Sequence, residues 1–587
     1  MNLTICLFLS ICIFICGIFC VFLLGSAKSK SKSFLNTINI LTAGTFLASV
    51  VMFLPIYHEI FLSDQLRYIK VFLLSIHNSI RLFIVDGEFT IVLEYLADAD
   101  NQIAAAYSIY AAVIFVVAPF LTFSYVLSFF KNVSAYSRYY LGYFKNICIF
   151  SELNPKSLAL AESIKQKDKG RMIIFTDVFE NNEETIFELI QKAHGIRAVC
   201  FKQDIVNINF RFHYKRRELS FFIIGSDESE NMDQCLKLIT EYEDRKNTNL
   251  YVFSSGADSE LMLTSSDKGS IKVRRINDIR SLVNQTLYEK GMTIFESAYP
   301  DDGDKQISAV IVGLGQFGTC MVKALSWFCQ MDGYKIRIDA FDQDKKAESR
   351  FSAQCPELMS PTYNGARIPG EAYYEINIHS GLNVDTGEFA ESIRSLGRAT
   401  YVFVALGNDE LNIKTAAYLR MLFERMGCHP VIQAVVFNDD KKEALGGIKN
   451  YRGQPYSIDF IGELKTSCSE EVIISSELER IALDRHLRWG QEGEFWKYEY
   501  NYRSSIASAI HKKMKVLCKM PGIEKAAKNR TDDELWALRR LEHRRWNAYM
   551  RSEGYCHGTQ RNDLAKTHPC LVPFDELSEA DQKKDDD

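Results

Sequence analysis

The chain has 587 residues, which is too long for a single hydrophobic core and predicts three or four structural units. Its net charge of −5, with no Lys/Arg stripe interleaved with aromatic residues, argues against nucleic acid as a partner. The fifteen cysteines are scattered and form no C-x-x-C pair, so we predict no metal site and reduced cysteines in a cytosolic environment.

The N-terminal part of the chain is strongly apolar and contains three runs long enough to cross a membrane. The predicted spans are residues 3–24, 38–56 and 103–130, within a membrane region of residues 1–135. A small-residue segment at 25–27 resembles a signal-peptidase site, but the first run is long and lacks a basic n-region. We therefore favour a retained first helix.

Charge in the loops predicts the orientation of these spans. Cations follow the first and third spans, whereas acidic residues fill the loop between the second and third. The positive-inside rule then places the N-terminus outside an inner (plasma) membrane and all later domains in the cytoplasm. The cations are Lys28, Lys30, Lys32, Lys131, Arg138 and Lys145, and the acids are Asp86, Glu88, Glu94, Asp98 and Asp100.

Residues 68–84, in the outer loop, form a predicted amphipathic helix. Six apolar side chains share one face at helical spacing, and His77, Asn78 and Arg81 lie elsewhere on it. Two interpretations remain open: a re-entrant helix that lines or plugs a conduit between assembled subunits, and a helix on the membrane surface. No T-V-G-Y-G-like segment occurs, so a potassium filter of that kind is not predicted.

Residues 146–297 have the alternating pattern of a first Rossmann-like unit. Strands are predicted at 146–151, 172–176, 198–201, 219–224 and 249–253, with a helix at 155–164. The segment SELNPKS stands where a phosphate loop would be, and it has no glycine. We therefore predict a structural unit without a dinucleotide in the usual place, followed by a turn-rich linker at 298–306.

Residues 307–344 carry the clearest functional pattern in the sequence. An apolar strand is followed by Gly313, Gly315 and Gly318 in G-x-G-x-x-G spacing, with Gln316 inside the motif, and then by a helical pattern. In such a turn the first glycine allows the sharp bend, the second lets a pyrophosphate approach, and the third lets helix and strand pack. The next strand, 335–341, leads to Asp342 and Asp344, either of which could accept from ribose hydroxyls.

The second Rossmann-like unit is predicted to run over residues 307–490. Further strands are expected at 373–378, 400–405 and 431–437, and residues 440–490 look like helical packing. Gly407, Asn408 and Asp409 follow the strand 400–405, at the carboxyl edge where such sheets bind ligands.

The segments AVIVGLGQFG and VFVALGNDELNIKTAAYLR together resemble the RCK, or TrkA-N, nucleotide-binding domains of potassium transporters and channels. The resemblance covers residues 307–440 closely and 146–490 loosely. It implies a degenerate copy followed by a glycine-bearing copy, pairing between subunits, and a nucleotide such as NAD(H), ATP or ADP as the cofactor.

Residues 495–587 resemble a single RyR-type domain, a small α-helical unit. The resemblance is carried by FWKYEYNYRSS, LRRLEHRRWNAYMRSEGY and KTHPCLVPFDELSEADQ. Two helices, 504–518 and 532–552, would bring aromatic residues beside cations, which suits a stacked base and a clamped phosphate. The alternative is an aromatic core with solvated arginines. The predicted ligand residues are Tyr502, Arg503, Arg545, Trp546, Lys566 and His568.

No G-x-S-x-G, H-E-x-x-H or G-x-x-x-x-G-K-[ST] motif is present, so we do not expect an enzyme. The leading hypothesis is a ligand-gated membrane effector or channel-like homo-oligomer, a dimer or tetramer. Its cytosolic domains would sense a nucleotide-type ligand, including a cyclic nucleotide signal. Bacterial membrane proteins with these two domain types resemble effectors of anti-phage nucleotide signalling. The alternatives are a regulatory subunit of potassium or cation transport sensing NAD(H) or ATP, and a passive membrane scaffold.

Overall fold

The computed structural model describes residues 3–25, 30–84, 86–97, 101–178, 184–256, 259, 262–263, 268–359, 362–363, 366–367, 374–446, 450–451, 454–455 and 457–585. Lys28, Asp98 and Asp100, which entered the orientation argument, lie outside these residues. The chain divides into two units. The first comprises residues 1–143, 177–179 and 199–207, and the second comprises the remainder.

The first unit is built from α-helices. The three predicted spans fall inside its first, second and last helices, and the predicted amphipathic helix forms at Arg67–Phe83. Within the described residues, Ile40–Ile60 and Gln102–Thr122 are long and apolar enough to cross a membrane, and Leu3–Phe19 is a shorter apolar helix. The helices are Leu3–Gly25, Lys30–Ile60, Arg67–Phe83, Phe89–Leu96 and Asn101–Leu141.

The first unit buries several polar side chains beside its apolar core, and apolar side chains also cover much of its outside. Ser10 donates to the Ala48 carbonyl at 2.6 Å and shares a hydrogen bond with Tyr110, and buried Asn78 bonds the Tyr57 hydroxyl. The outside of a helical bundle in water is mostly polar, so the apolar exterior is the feature that sets this unit apart. Apolar side chains at least 40% exposed include Ile5, Phe8, Leu9, Phe19, Leu47, Ile69, Phe72, Leu73, Ile80, Ile109, Val116 and Phe120.

The first sheet of the second unit confirms a Rossmann-like arrangement. Its strands are all parallel, and almost every strand residue in the two central strands is buried. Helix Pro155–Lys167 starts with Asn154 as its N-cap, in a capping box with Ser157. The strand order in this unit is Met172–Phe175, Ile147–Phe150, Leu219–Ile223, Thr248–Phe253 and Lys272–Ile276. The last of these strands was not predicted.

The second sheet has the strand order 3-2-1-4-5-6 of doubly wound nucleotide-binding folds. Its helices cover both faces: helices Gly387–Ser395 and Asp409–Arg425 bury Phe389, Ile393 and Leu419 on one face. In spatial order the strands are Tyr374–Ser380, Tyr334–Asp342, Asp304–Val312, Tyr401–Val404, Val431–Val435 and Ile458–Ile461, all parallel.

Two details of this sheet differ from the predictions. Residues 298–306 form a β-hairpin, not a linker: Tyr299–Asp301 pairs antiparallel with the start of the first strand. Asp302 and Gly303 both have positive φ, so the Asp-Gly pair makes the tight turn that hairpins prefer. Residues 440–490 contain the sixth strand, Ile458–Ile461, which is only four residues long and gives too little periodicity to read.

The C-terminal helices share a hydrophobic core with the second sheet. Helices Glu499–Leu517 and Asp532–Ser552 contribute Ile510 and Leu541, among others, to the cluster that contains Ile307 and Leu325. Helix Asp278–Lys290, which follows the first sheet, adds Val283 and Leu287 to the same core. The boundary predicted near residue 490 lies between the RCK-like and the RyR-like resemblances of the sequence. The hydrophobic core is continuous across this boundary.

Three arginines near the end of the first Rossmann-like unit pair with three glutamates from the C-terminal part of the chain. Arg274 pairs with Glu479, Arg275 with Glu499, and Arg280 with Glu553 at 2.7 Å. Arg503 completes the group by donating to Glu553 at 2.8 Å. We call these residues the arginine–glutamate interface.

Glu553→Gln removes one charge from between Arg280 and Arg503 and leaves both guanidinium groups poorly compensated. Because the Glu553 side chain is only 14% exposed, we expect a loss of about 3 kcal/mol of stability. The surface control Glu391→Gln, whose side chain is 77% exposed, should cost less than about 0.5 kcal/mol. Denaturant unfolding of the full chain in detergent compares the two, and equal losses would contradict the prediction.

The same carboxylate predicts sensitivity to acid. Burial would raise the pKa of Glu553, but Arg280 and Arg503 beside it hold that pKa far below its ordinary value. A carboxyl with a lowered pKa in the folded state stabilises the fold fully above its unfolded pKa, and this contribution is lost as the pH falls through the folded pKa. We expect stability to fall from about pH 4.5 downward, with a smaller slope in Glu553→Gln. Unfolding midpoints measured between about pH 6 and pH 3 test this.

Candidate functional site

The glycine turn of the second sheet has the geometry that a pyrophosphate needs. Gly313 has φ +94°, and a Cβ there would lie 2.4 Å from the Ala405 carbonyl oxygen. A Cβ on Gly318 would lie 1.8 Å from the Gly313 carbonyl oxygen, so only glycine allows helix and strand this close. A Cβ on Gly315 would meet nothing within 4 Å. The first and third glycines are therefore required by packing, and the second faces open space.

Helix Gln316–Phe328 begins directly at this open position. Gly315 is its N-cap and supplies no side-chain oxygen to the first amide groups. Those amides and the helix dipole make the position suitable for an anion. The Gln316 side chain lies at the rim and donates to Ser255 Oγ of the first Rossmann-like unit at 3.4 Å.

Asp342 and Asp344 follow the second strand, as predicted, but they differ in their surroundings. Asp342 accepts from the Leu314 amide at 2.7 Å and from the Asp344 amide at 2.8 Å, so it holds the glycine turn. Asp344 is paired with Arg350 at 2.8 Å. A hydrogen bond from the Lys346 amide, with help from Arg350, lowers the Asp344 pKa. Asp344 is thus a carboxylate near neutral pH, and both side chains retain further lone pairs for ribose hydroxyls.

Gly407 and Asn408 lie across the crevice from the glycine turn, after the fourth strand. Gly407 has φ +80° and also faces open space, and Asn408 caps helix Asp409–Arg425 by accepting from the Leu411 amide. The contact of Gly313 with Ala405 brings the two loops together. This is the point at which strand order reverses, where doubly wound folds bind their ligands.

Two further residues position this crevice: Asn412, which was not predicted, and Asp409, which was predicted at the carboxyl edge with Gly407 and Asn408. Asn412 is 2% exposed; it accepts from the Leu406 amide at 2.6 Å and donates to the Val435 carbonyl at 2.8 Å. Asp409 accepts from the amides of residues 437 and 438 and so ties the fourth strand's loop to the fifth. The available signal for Asn412 was a polar residue on the helix face that also carries Ala416, Leu419 and Phe423.

The corresponding edge of the first Rossmann-like unit is filled by its own carboxylates. Glu152 accepts from the Ser226 amide at 3.0 Å. Glu228 accepts from the Ser255 amide at 2.9 Å, the Ser255 hydroxyl at 2.6 Å and the Gly256 amide at 3.2 Å. Burial would raise the Glu228 pKa, but these bonds outweigh it and lower that pKa. The carboxylates take amide groups that a phosphate would use elsewhere.

The six predicted ligand residues of the C-terminal part are distributed over several clusters. Trp546 and His568 are adjacent, with ring centroids 5.0 Å apart. Arg503 and Lys566 both contact Glu553, the first through its carboxylate and the second through its carbonyl oxygen. Trp546 and His568 are thus held together by direct contact, and Arg503 and Lys566 through Glu553.

Arg545 and Tyr502 are each bonded elsewhere. Arg545 is 2% exposed and donates to Glu542 at 2.6 Å, beside buried Lys515. Tyr502 donates to Glu479 at 2.6 Å. It lines a small cleft of about 60 Å³ with Lys268, Arg274, Arg275, Trp496 and Lys497, among others.

Protonation further limits the cationic role predicted for His568. Burial, and then the nearby Arg561, lower the pKa of His568 to about 4, so its imidazole is neutral at pH 7. It can still stack or donate a hydrogen bond. Charge attraction to a phosphate in this region would have to come from the arginines and lysines.

Comparisons with known proteins add little to this geometry. No protein-family model and no curated protein matches the chain. Among solved structures it is similar to a dipicolinate synthase component from Bacillus halodurans, at 10% identity over 57% of this chain and 97% of that chain, with a TM-score of 0.20. It is also similar to dipicolinate synthase from Bacillus subtilis, at 9% identity over 64% of this chain and 96% of that chain, with a TM-score of 0.19. Scores of this size carry no argument, so the Rossmann-like assignment rests on strand order and the glycine turn.

Alanine substitutions should separate the packing glycine from the open one. Gly318→Ala forces a Cβ against backbone and should cost about 2 kcal/mol or more, because the neighbouring carbonyl cannot move aside. Gly315→Ala meets open space and should cost at most about 1 kcal/mol, mainly through a poorer N-cap. Thermal unfolding of the two full-length variants measures this, and the reverse order would contradict the described turn.

Proposed function

We propose that the chain is a ligand-responsive membrane effector or channel-like protein that senses a nucleotide-type ligand through its second Rossmann-like unit. The open glycine turn, joined through one chain to helices with an apolar exterior, is the observation that carries this proposal. The resemblances to RCK and RyR-type domains agree with it and suggest a role in anti-phage nucleotide signalling. NAD(H), ATP, ADP and cyclic nucleotides are the candidate ligands.

The crevice supports a phosphate-bearing ligand because its polar groups converge from two loops. Gly315 and Gly407 leave space, the start of helix Gln316–Phe328 supplies amides, and Asp342 and Asp344 supply acceptors at the ribose position. The first Rossmann-like unit would serve as a structural partner, because Glu152 and Glu228 satisfy the amides at its own edge.

The polarity of the first unit supports insertion into a membrane. In water, the apolar faces of several helices would be exposed to solvent while the polar residues Ser10, Thr45 and Asn78 stay buried. In hydrocarbon surroundings the exposed apolar faces are no longer unfavourable. We propose an inner-membrane location with the N-terminus outside and the second unit in the cytoplasm, as the loop charges predict. Three spans cannot enclose a conduit, so the active form would be a homo-oligomer.

Ligand binding is tested with the full chain in detergent against NAD⁺, NADH, ATP, ADP and a panel of cyclic nucleotides. We expect at least one to raise the unfolding midpoint, and Gly315→Asp to abolish that shift by placing a negative charge at the phosphate position. Because Asp is a good N-cap, this variant should remain folded. A panel without any shift would contradict the proposal.

Gly387→Asp is the matched control for this experiment. Gly387 also starts a helix and faces open space, but that helix follows the third strand and does not begin at the glycine turn. Its thermal shift with ligand should equal that of the unmodified chain. Equal loss of the shift in both variants would mean that added charge, and not the glycine turn, is responsible.

A further inference from the structure

Helices Arg67–Phe83 and Phe89–Leu96 form a hairpin in the first unit, joined by a short connection that contains Gly87. Gly87 packs tightly against the last helix. A Cβ on it would lie 2.6 Å from the Leu82 side chain and 3.0 Å from the Phe115 ring. The Phe89 ring, two residues further on, lies 5.1 Å from Phe115.

Phe115 fixes the depth of this connection relative to the candidate spans. It lies within two residues of the middle of the predicted span 103–130, inside helix Asn101–Leu141. At the end of helix Arg67–Phe83, the Phe83 ring lies 6.2 Å from Phe46, which is next to the middle of the predicted span 38–56. The hairpin therefore reaches the middle of both spans and does not stop at the level of their ends.

The tip of the hairpin carries three charged side chains at this depth. Arg81 donates to Asp86 at 3.0 Å and to Glu88 at 3.0 Å. Their side chains are 26%, 71% and 51% exposed, respectively. We call them the tip triad; with one cation and two anions it has a net charge of −1.

Exposed charges at the middle of a bilayer are costly when they face lipid, and they are tolerated where they face protein or water. The long helix of the hairpin makes the contrast clear. Its outward residues Ile69, Phe72, Leu73 and Ile80 are apolar, with exposed His77 as the polar exception among them, so lipid suits most of that face. The tip triad does not fit the same surroundings.

We propose that the hairpin dips into the bilayer and that, between assembled copies of the chain, its tip triad faces a water-filled path. The excess of acidic groups would favour cations in this path. The inference rests on the membrane placement in the proposed function, and it deepens that proposal by naming the residues that meet water. It is independent of whether the glycine turn binds a nucleotide.

Cysteine accessibility tests the proposal on the full chain in intact cells or vesicles. A charged, membrane-impermeant methanethiosulfonate reagent is added, and modification of each introduced cysteine is followed by peptide mass spectrometry. Asp86→Cys and Glu88→Cys are the test positions, each of which leaves one acid for Arg81. Leu66→Cys, in the loop outside the hairpin and 58% exposed, is the accessible reference. Ile80→Cys, 46% exposed on the apolar face, is the lipid control.

We expect the tip cysteines to react within about tenfold of Leu66→Cys, and Ile80→Cys to react at least about 100-fold more slowly, because hydrocarbon suppresses the reactive thiolate. Slow reaction at both tip positions and at Ile80 would overturn the aqueous path but keep the bilayer placement. Fast reaction at all positions would overturn the bilayer placement itself. A thermal shift with a nucleotide, measured on the same variants, reports separately on ligand sensing.

Discussion

The arginine–glutamate interface is the constraint on which the second unit depends. Buried ion pairs are costly to desolvate, and they hold an arrangement only when both partners are present with good geometry. Arg274, Arg275 and Arg280 lie close together in sequence, yet their partners Glu479, Glu499 and Glu553 are spread over the C-terminal part of the chain. A shift in the packing of the C-terminal helices would therefore separate several charged pairs at once.

This interface also explains why the C-terminal residues do not form an open ligand pocket by themselves. Arg503 and Tyr502 point toward glutamates that belong to the interface, and Lys566 bonds the carbonyl of one of them. In the isolated sequence such residues look like a cationic, aromatic surface awaiting an anion. In the folded chain, carboxylates from elsewhere already satisfy much of that charge.

The elements that sequence analysis predicted best are those with local signals. The strand before Gly313, the glycine spacing and the acids after the next strand depend on residues close together in the chain, and the crevice formed as expected. The strand Ile458–Ile461 and the carboxylates of Glu152 and Glu228 depend on partners far away in sequence. No periodicity within a short window reports such contacts, so these features could not be predicted. Helix Arg67–Phe83 of the first unit shows the same limit of local sequence patterns. Its helical periodicity reveals two faces, but it does not say which face turns inward. The structure buries Ser75, Asn78 and Ser79, an arrangement that hydrocarbon surroundings make the less costly one.

Energetics constrain how the proposed ligand could act on the membrane helices. A ligand shifts an equilibrium only by its differential affinity, and a hundredfold preference corresponds to about 2.7 kcal/mol. Breaking one buried ion pair by losing a partner costs about 3–5 kcal/mol, and the interface holds four such pairs when Arg503–Glu553 is included. On these magnitudes the second unit would move as one body that keeps its interface, and the ligand would bias how such bodies pack against each other.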